Sequence, residues 1–181
     1  MANLPETLES PVELSLVSGV ASTGAGCNPS EIAIRVNGVP APQGSKRSFG
    51  NGRMVEVSKR VEPWRQDVKL DSRNQYKGLP FADPVFMKII FWLPRPKGHY
   101  RTGRFAGRLK PNAPVYCPST PDLDKLCRST LDGLSAKCGG CIIADDSIVV
   151  AIQAEKRYAT DAESCGALIT VAPATRTNGL F

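Results

Sequence analysis

Two pairs of aspartates carry the chemistry that this sequence could perform. Asp122-Leu123-Asp124 and Asp145-Asp146 each hold two carboxylates close together in sequence. Clustered carboxylates repel one another. A hard divalent cation such as Mg²⁺ removes that cost and keeps positions open for water or phosphate oxygens. Geometry sets a condition on the first pair. Residues i and i+2 point the same way in extended chain but about 200° apart around a helix, so Asp122 and Asp124 share an ion only if a helix begins at or after Asp124. Ordinary structure accounts for each pair as well. Asp124 suits a helix N-cap, and Asp122 suits the positive end of a helix dipole. Arg128 and Asp132 extend the i, i+4 row from Asp124 into a surface charge ladder, and Asp145-Asp146 suits a turn between strands. Their joint occurrence, with a basic segment leading into Asp122, favours a phosphate-handling metal site.

The elements that must hold these residues follow from periodicity. Asp124–Ala136 is the clearest helix: Leu123, Leu126, Cys127, Thr130, Leu131 and Leu134 recur at steps of three and four, and Gly139-Gly140 ends the run. Ser147–Tyr158 alternates as a strand directly after the second aspartate pair. Glu31–Val36 alternates as a half-buried strand, Pro84–Leu93 is apolar on both alternating sets and reads as a central strand buried on both faces, or nearly so, and Gly166–Ala172 is a last short strand. Val61, Trp64, Arg65 and Val68 mark a helix that starts near Arg60–Glu62, because Pro63 is tolerated only in a first turn. The order β, α, β, long loop, α, β, β predicts an α/β chain of the mixed α+β kind.

Charge is distributed unevenly. The 181 residues hold 23 Lys and Arg against 17 Asp and Glu, a net +6. Residues 1–30 contain Glu6, Glu9 and Glu13 and no Lys or Arg; rich in Ser, Gly and Pro, they read as a disordered arm with room for one short helix near Pro11–Val20. Between Pro94 and Pro121 stand Arg95, Lys97, Arg101, Arg104, Arg108 and Lys110 with no acidic residue, interleaved with His99, Tyr100 and Phe105. Aromatics among arginines suit stacking on unpaired bases and contacts to phosphates; the plainer alternative is a basic loop that aids solubility. Lys46, Arg47 and Arg53 lie on a Gly-rich stretch that suits either a solvated loop or a phosphate-contacting one. No run of about 18 apolar residues suggests a membrane span, and the N-terminus lacks a basic region followed by an apolar stretch, so a cytoplasmic protein with reduced thiols is expected. Among six cysteines, Cys138-Gly-Gly-Cys141 has zinc-knuckle spacing, but a second such pair is missing and a Gly-rich turn with two incidental thiols is favoured.

Pro121-Asp122-Leu123-Asp124-Lys125-Leu126, then Arg128, Leu131-Asp132-Gly133-Leu134 and Ile143-Ala144-Asp145-Asp146-Ser147-Ile148-Val149 together resemble the RusA family of Holliday junction endonucleases, phage-encoded members included. Val39-Pro40 and Gln43-Gly44-Ser45-Lys46 are similar to that family's early Gly/Pro basic segment, and the resemblance spans roughly residues 31–172. It implies a RusA-like fold, a mixed sheet with two main helices packed on it, with 1–30 as an arm, 94–121 as a basic loop inside the domain and 173–181 as a tail. It implies a homodimer acting on four-way junctions or other branched DNA in recombination and repair, in a bacterial or phage-infected cytoplasm. Carried over residue by residue, the catalytic set is Asp122, Asp124, Asp146 and Arg128. The metal ligands are Asp122, Asp124 and Asp146 with Asp145 adjoining, for Mg²⁺ with Mn²⁺ able to substitute. Arg128 replaces a lysine that is usual in the family, and it can hold phosphate but not give up a proton at neutral pH. The expected DNA-binding residues are Lys46, Arg47, Arg53, Arg101, Arg104, Arg108 and Lys125, and the expected products carry 5′-phosphate and 3′-hydroxyl ends. The rival readings are a non-catalytic basic DNA-binding protein and a flap or branch nuclease of the same fold.

Overall fold

A computed structural model describes residues 31–44, 46–49, 53–56, 59–160 and 164–174. The expected arm at 1–30 and most of the tail lie outside the described residues. Within them the chain forms β1 (Ile32–Asn37), β2 (Lys46–Phe49), β3 (Arg53–Glu56), α1 (Val61–Gln75), β4 (Val85–Leu93), α2 (Leu123–Leu134), β5 (Val149–Tyr158) and β6 (Gly166–Pro173). A four-stranded mixed sheet has the order β1-β6-β4-β5, antiparallel except for the parallel pair β4–β5. A parallel pair needs a crossover, and α2 supplies it. The result is the α+β architecture expected from the order of the elements.

Both helices are seated by an apolar stripe. On α2 the buried residues Leu126, Ser129, Thr130, Gly133 and Leu134 recur at helical spacing, and on α1 the buried set is Val61, Trp64, Val68 and Ser72. The helices pack on each other and, together with the inward residues Ile34, Val36, Val85, Ile89, Phe91, Ile169 and Val171, enclose the core. Within this contact Trp64 Nε1 donates to Thr130 Oγ1 at 3.1 Å, so the indole loses no hydrogen bond on burial.

Two expectations need correction. Pro84–Leu93 was expected to be buried on both faces, or nearly so. β4 is central, between β6 and β5, but both helices lie on one side of the sheet. On the other side Lys88 is exposed and Phe86 and Ile90 are half-buried, while Trp92 is covered by the Arg35 guanidinium 4.3 Å from its ring centroid. An apolar run therefore reported a central strand correctly without reporting a second covering layer. The stretch around Lys46 is also no simple loop. It forms the two-stranded hairpin β2–β3, with Lys46 opposite Glu56 and Phe49 opposite Arg53.

The α1–α2 contact depends on a missing side chain. A Cβ placed at Gly133 would stand 2.8 Å from Cβ and Cγ1 of Val68 and 3.3 Å from the Arg65 carbonyl. Gly133→Ala is expected to destabilise the fold by about 1–3 kcal/mol through overpacking. The double variant with Val68→Ala should fall short of the sum of the single costs, as read by urea unfolding.

Candidate metal and nucleic-acid site

The first aspartate pair sits where loop becomes helix. Asp122 is the N-cap of α2, extended at φ −67° and ψ 138°, and its carbonyl accepts the first helical bond from Leu126 at 3.2 Å. The helix therefore starts at Leu123, one residue before the start at which spacing would turn both carboxylates to one side. The Asp122 side chain caps no backbone N–H. It accepts from Lys125 Nζ at 2.6 Å, and this bond and the Lys125 charge hold its carboxyl below the usual range, with Lys156 adding to the effect. Both partners are about half exposed, so the pair orients the carboxylate more than it stabilises the fold. Asp124 and Arg128 stand one turn apart on the exposed side of α2, opposite the buried stripe.

Lys156 on β5 fixes the approach to this helix. Its Nζ donates to the carbonyls of Ser119 at 2.6 Å and Pro121 at 2.7 Å, tying the end of the basic segment to the sheet one residue before Asp122. A second strap comes from the other side. Gln43 N donates to the Lys125 carbonyl at 3.0 Å, and Ser129 Oγ donates to the Ala41 carbonyl at 2.6 Å. This lays residues 41–43 along α2, just before the β2–β3 hairpin that carries Lys46, Arg47 and Arg53. Nothing is described of those three side chains.

The second pair is held from the opposite end of α2. Ile142 and Ile143 are fully buried, and their backbone bonds to Leu134, Ala136 and Phe81 clamp the segment between the helix and the core. Asp145 emerges from this clamp as the cap of a short 3₁₀ turn, Asp146–Ile148, accepting from Ser147 N at 2.9 Å and from Lys137. The Lys137 hydrogen bond, with that from Ser147, drives the Asp145 carboxyl far below its usual range. Asp146 moves the opposite way: its hydrogen bond to Asp145, partial burial and repulsion by Asp145 and Asp132 push its carboxyl up.

The sequence profile of the endodeoxyribonuclease RusA family matches residues 37–167, well over half of the chain. The chain belongs to the RusA endodeoxyribonuclease family. Curated proteins yield no match. Membership makes the protein a Holliday junction endonuclease, with branched DNA as the substrate, and RusA nucleases are generally dependent on a divalent metal. No described helix is long and apolar enough to cross a membrane.

In this RusA chain the expected site residues fall into two groups. Asp122, Asp124, Lys125 and Arg128 share the start of α2; Asp145 and Asp146 lie beyond its end, where Asp132 repels Asp146 and is itself paired with Arg65. Asp132 stands eight residues, about 12 Å, along the axis from Asp124. Among the described residues no three His, Cys, Asp or Glu side chains are grouped closely enough to hold an ion. The donor chemistry nonetheless fits a hard cation, since both groups offer only carboxylate oxygens. Each group also already carries a cation, the ammonium of Lys125 on Asp122 and that of Lys137 on Asp145. Lys125, expected on DNA, is thus engaged by a carboxylate. Sequence reasoning missed Lys137 and Lys156, because their partners are remote or on a neighbouring turn and no spacing announces them. Asp132 was visible as part of the charge ladder, but its effect on Asp146 was not.

The opposed shifts predict opposed linkages. Asp145 contributes stability above the unfolded carboxylate pKa and loses it as pH falls toward its own depressed value. Asp146, raised in the folded state, opposes folding as pH climbs through its higher value. Carboxyl titration by NMR should show Asp146 titrating above Asp145, with Lys137→Met moving Asp145 upward. An Asp145 that titrates normally in the unmodified protein would contradict the assignment.

Proposed function

We propose that this protein resolves four-way DNA junctions by paired, metal-dependent phosphodiester hydrolysis, leaving 5′-phosphate and 3′-hydroxyl ends, in recombination and repair. The observation that carries the reading is the start of α2. An Asp-x-Asp pair and an arginine one turn on stand exposed where the basic segment is tied down, inside the region that matches the RusA profile.

The roles divide by chemistry. Asp122 and Asp124 at the start of α2, and Asp146 with Asp145 adjoining beyond its end, would hold Mg²⁺ or Mn²⁺ as two separate carboxylate groups rather than one closed set. When bound, such an ion lowers the pKa of water and offsets charge on the reacting phosphate. Arg128 grips the scissile phosphate. Its guanidinium stays charged at any working pH and presents a fork of donors to two phosphate oxygens, so it holds and stabilises but supplies no proton. Lys156 is a positioning residue, because it acts through the Ser119 and Pro121 carbonyls on the placement of Asp122. Arg101, Arg104 and Arg108, with Lys46, Arg47 and Arg53, track backbone phosphates. That mode of binding reads shape more than sequence. A four-way junction has two-fold symmetry and requires two opposed cuts, which a C2 homodimer with one site per protomer delivers. The profile match separates this reading from a non-catalytic DNA-binding protein, since the family is one of nucleases.

Cleavage of a synthetic junction with and without Mg²⁺ is the decisive assay. Asp124→Asn should keep junction binding and lose at least about 100-fold in cleavage rate, the scale expected when transition-state charge stabilisation is removed. Retained cleavage in that variant would remove Asp124 from the site. Arg104→Ala should weaken binding to junctions of different sequence alike and lower the slope of log K against log salt by about one. A slope that does not change would take Arg104 off the phosphate path.

A further inference from the structure

The segment between β4 and α2 is not a featureless loop. Residues 99–110 double back as a small hairpin: Tyr100 bridges Leu109, Arg101 N donates to the Arg108 carbonyl at 2.8 Å, and Lys110 N donates to the His99 carbonyl at 2.9 Å. Its base is planted on the ends of β4 and β5. Arg95 Nε donates to the Ala159 carbonyl at 3.0 Å and its NH1 to the Pro114 carbonyl at 2.8 Å, while the His99 ring meets Tyr158 edge-on with centroids 4.9 Å apart. Its tip is a 3₁₀ turn, Gly103–Phe105, bounded by two glycines with positive φ, Gly103 at 64° and Gly107 at 85°; a Cβ at either would meet no atom within 4 Å. The tip therefore projects away from the body of the protein.

At that tip one aromatic ring is held in water among three positive charges. Phe105 is 45% exposed, and the guanidinium carbons of Arg101, Arg104 and Arg108 lie 5.7, 5.9 and 5.8 Å from its ring centroid. Among the described residues none of the three arginines has a carboxylate partner. A cation–π contact at an exposed site is a weak attraction, set against the mutual repulsion of three guanidinium groups and the exposure of an apolar ring. Among the described residues no carboxylate relieves the first cost, and the ring stays 45% exposed. A polyanion with an open apolar face relieves both: phosphates for the arginines and a base for the phenyl ring. Continuous duplex covers the faces of its bases by stacking. A branch point opened out of its stacked form does not.

We propose that Phe105 is a stacking wedge that seats against an exposed base at the branch point, with Arg101, Arg104 and Arg108 clamping the phosphates around it. This makes the 99–110 hairpin the element that distinguishes branched from continuous DNA, and it rests on the junction-nuclease reading above. The hairpin and Asp122 belong to one connected segment, planted by Arg95 and His99 at one end and by Lys156 at the other. Seating the wedge therefore places the branch relative to the start of α2.

The test uses the full chain with Ca²⁺ in place of Mg²⁺, and a four-way junction carrying 2-aminopurine either at the branch or within an arm. The unmodified protein should change the emission of the branch label and not of the arm label. Phe105→Ala should abolish that change and lower the junction-to-duplex affinity ratio about tenfold, within the range for loss of one base–aromatic stack, while duplex affinity stays within about twofold. Phe105→Trp should preserve the signal. A Phe105→Ala protein that keeps the emission change, or that loses junction and duplex binding equally, overturns the wedge. If that protein still prefers and cuts junctions as the unmodified one does, the nuclease reading stands and only the wedge falls. If the unmodified protein neither prefers nor cuts junctions in Mg²⁺, both fall.

Discussion

The seating of α2 is the constraint on which the candidate site depends. Leu126, Ser129, Thr130, Gly133 and Leu134 press one side of a twelve-residue helix against α1 and the sheet. The rotation of the helix about its axis is thereby set, and Asp124 and Arg128 are left on the outer side. Rotating the helix far enough to turn those charges elsewhere would expose Leu126 and Leu134, each costing about 1.5–3 kcal/mol, and would break the Trp64–Thr130 bond. The site is thus oriented by groups that take no part in its chemistry.

Around that helix the charge arrangement is one of containment. Each aspartate pair keeps a lysine on one of its members, and the carboxyl left without a lysine beside Asp145, that of Asp146, is the one pushed up. Opposite charges are kept apart on a larger scale as well. The basic hairpin between β4 and α2 has no carboxylate of its own, and its cations surround Phe105 rather than neutralise the aspartates. A surface that holds its acids in one place and, among the described residues, carries bases without carboxylate partners in another is suited to a polyanion that brings its own cation.

Much of this was legible along the chain because it depends on neighbours in sequence. The helical step of the leucines placed α2 to within one residue at its start, and the alternation in Ser147–Tyr158 found β5, although Ser147 and Ile148 belong instead to the short turn after Asp145. The basic segment, its aromatics and the two aspartate pairs were all visible as residue types at given spacings. What misled was burial. Val85–Leu93 is apolar on both alternating sets, yet among the described residues both helices cover the same face and Phe86 and Ile90 on the other stay half-buried, because a strand's sequence records what it can bury and not which layers cover it. Likewise Lys46 to Arg53 read as a Gly-rich loop, since a hairpin of two four-residue strands is too short to establish a period.

By itself, then, the sequence determined the class of fold, the helix that carries Asp124 and Arg128, and the family to which the chain belongs. These rest on periodicity and on motif spacing, which are local. Only the tertiary structure decided that Lys156 ties the loop down beside Asp122, that Lys137 rather than a neighbour in register holds Asp145, and that Asp132 repels Asp146 across the end of α2. It also decided that three arginines gather on one exposed ring. Such contacts join residues from different turns and strands. Their geometry follows from how the core packs, and no reading of spacing along one chain contains it.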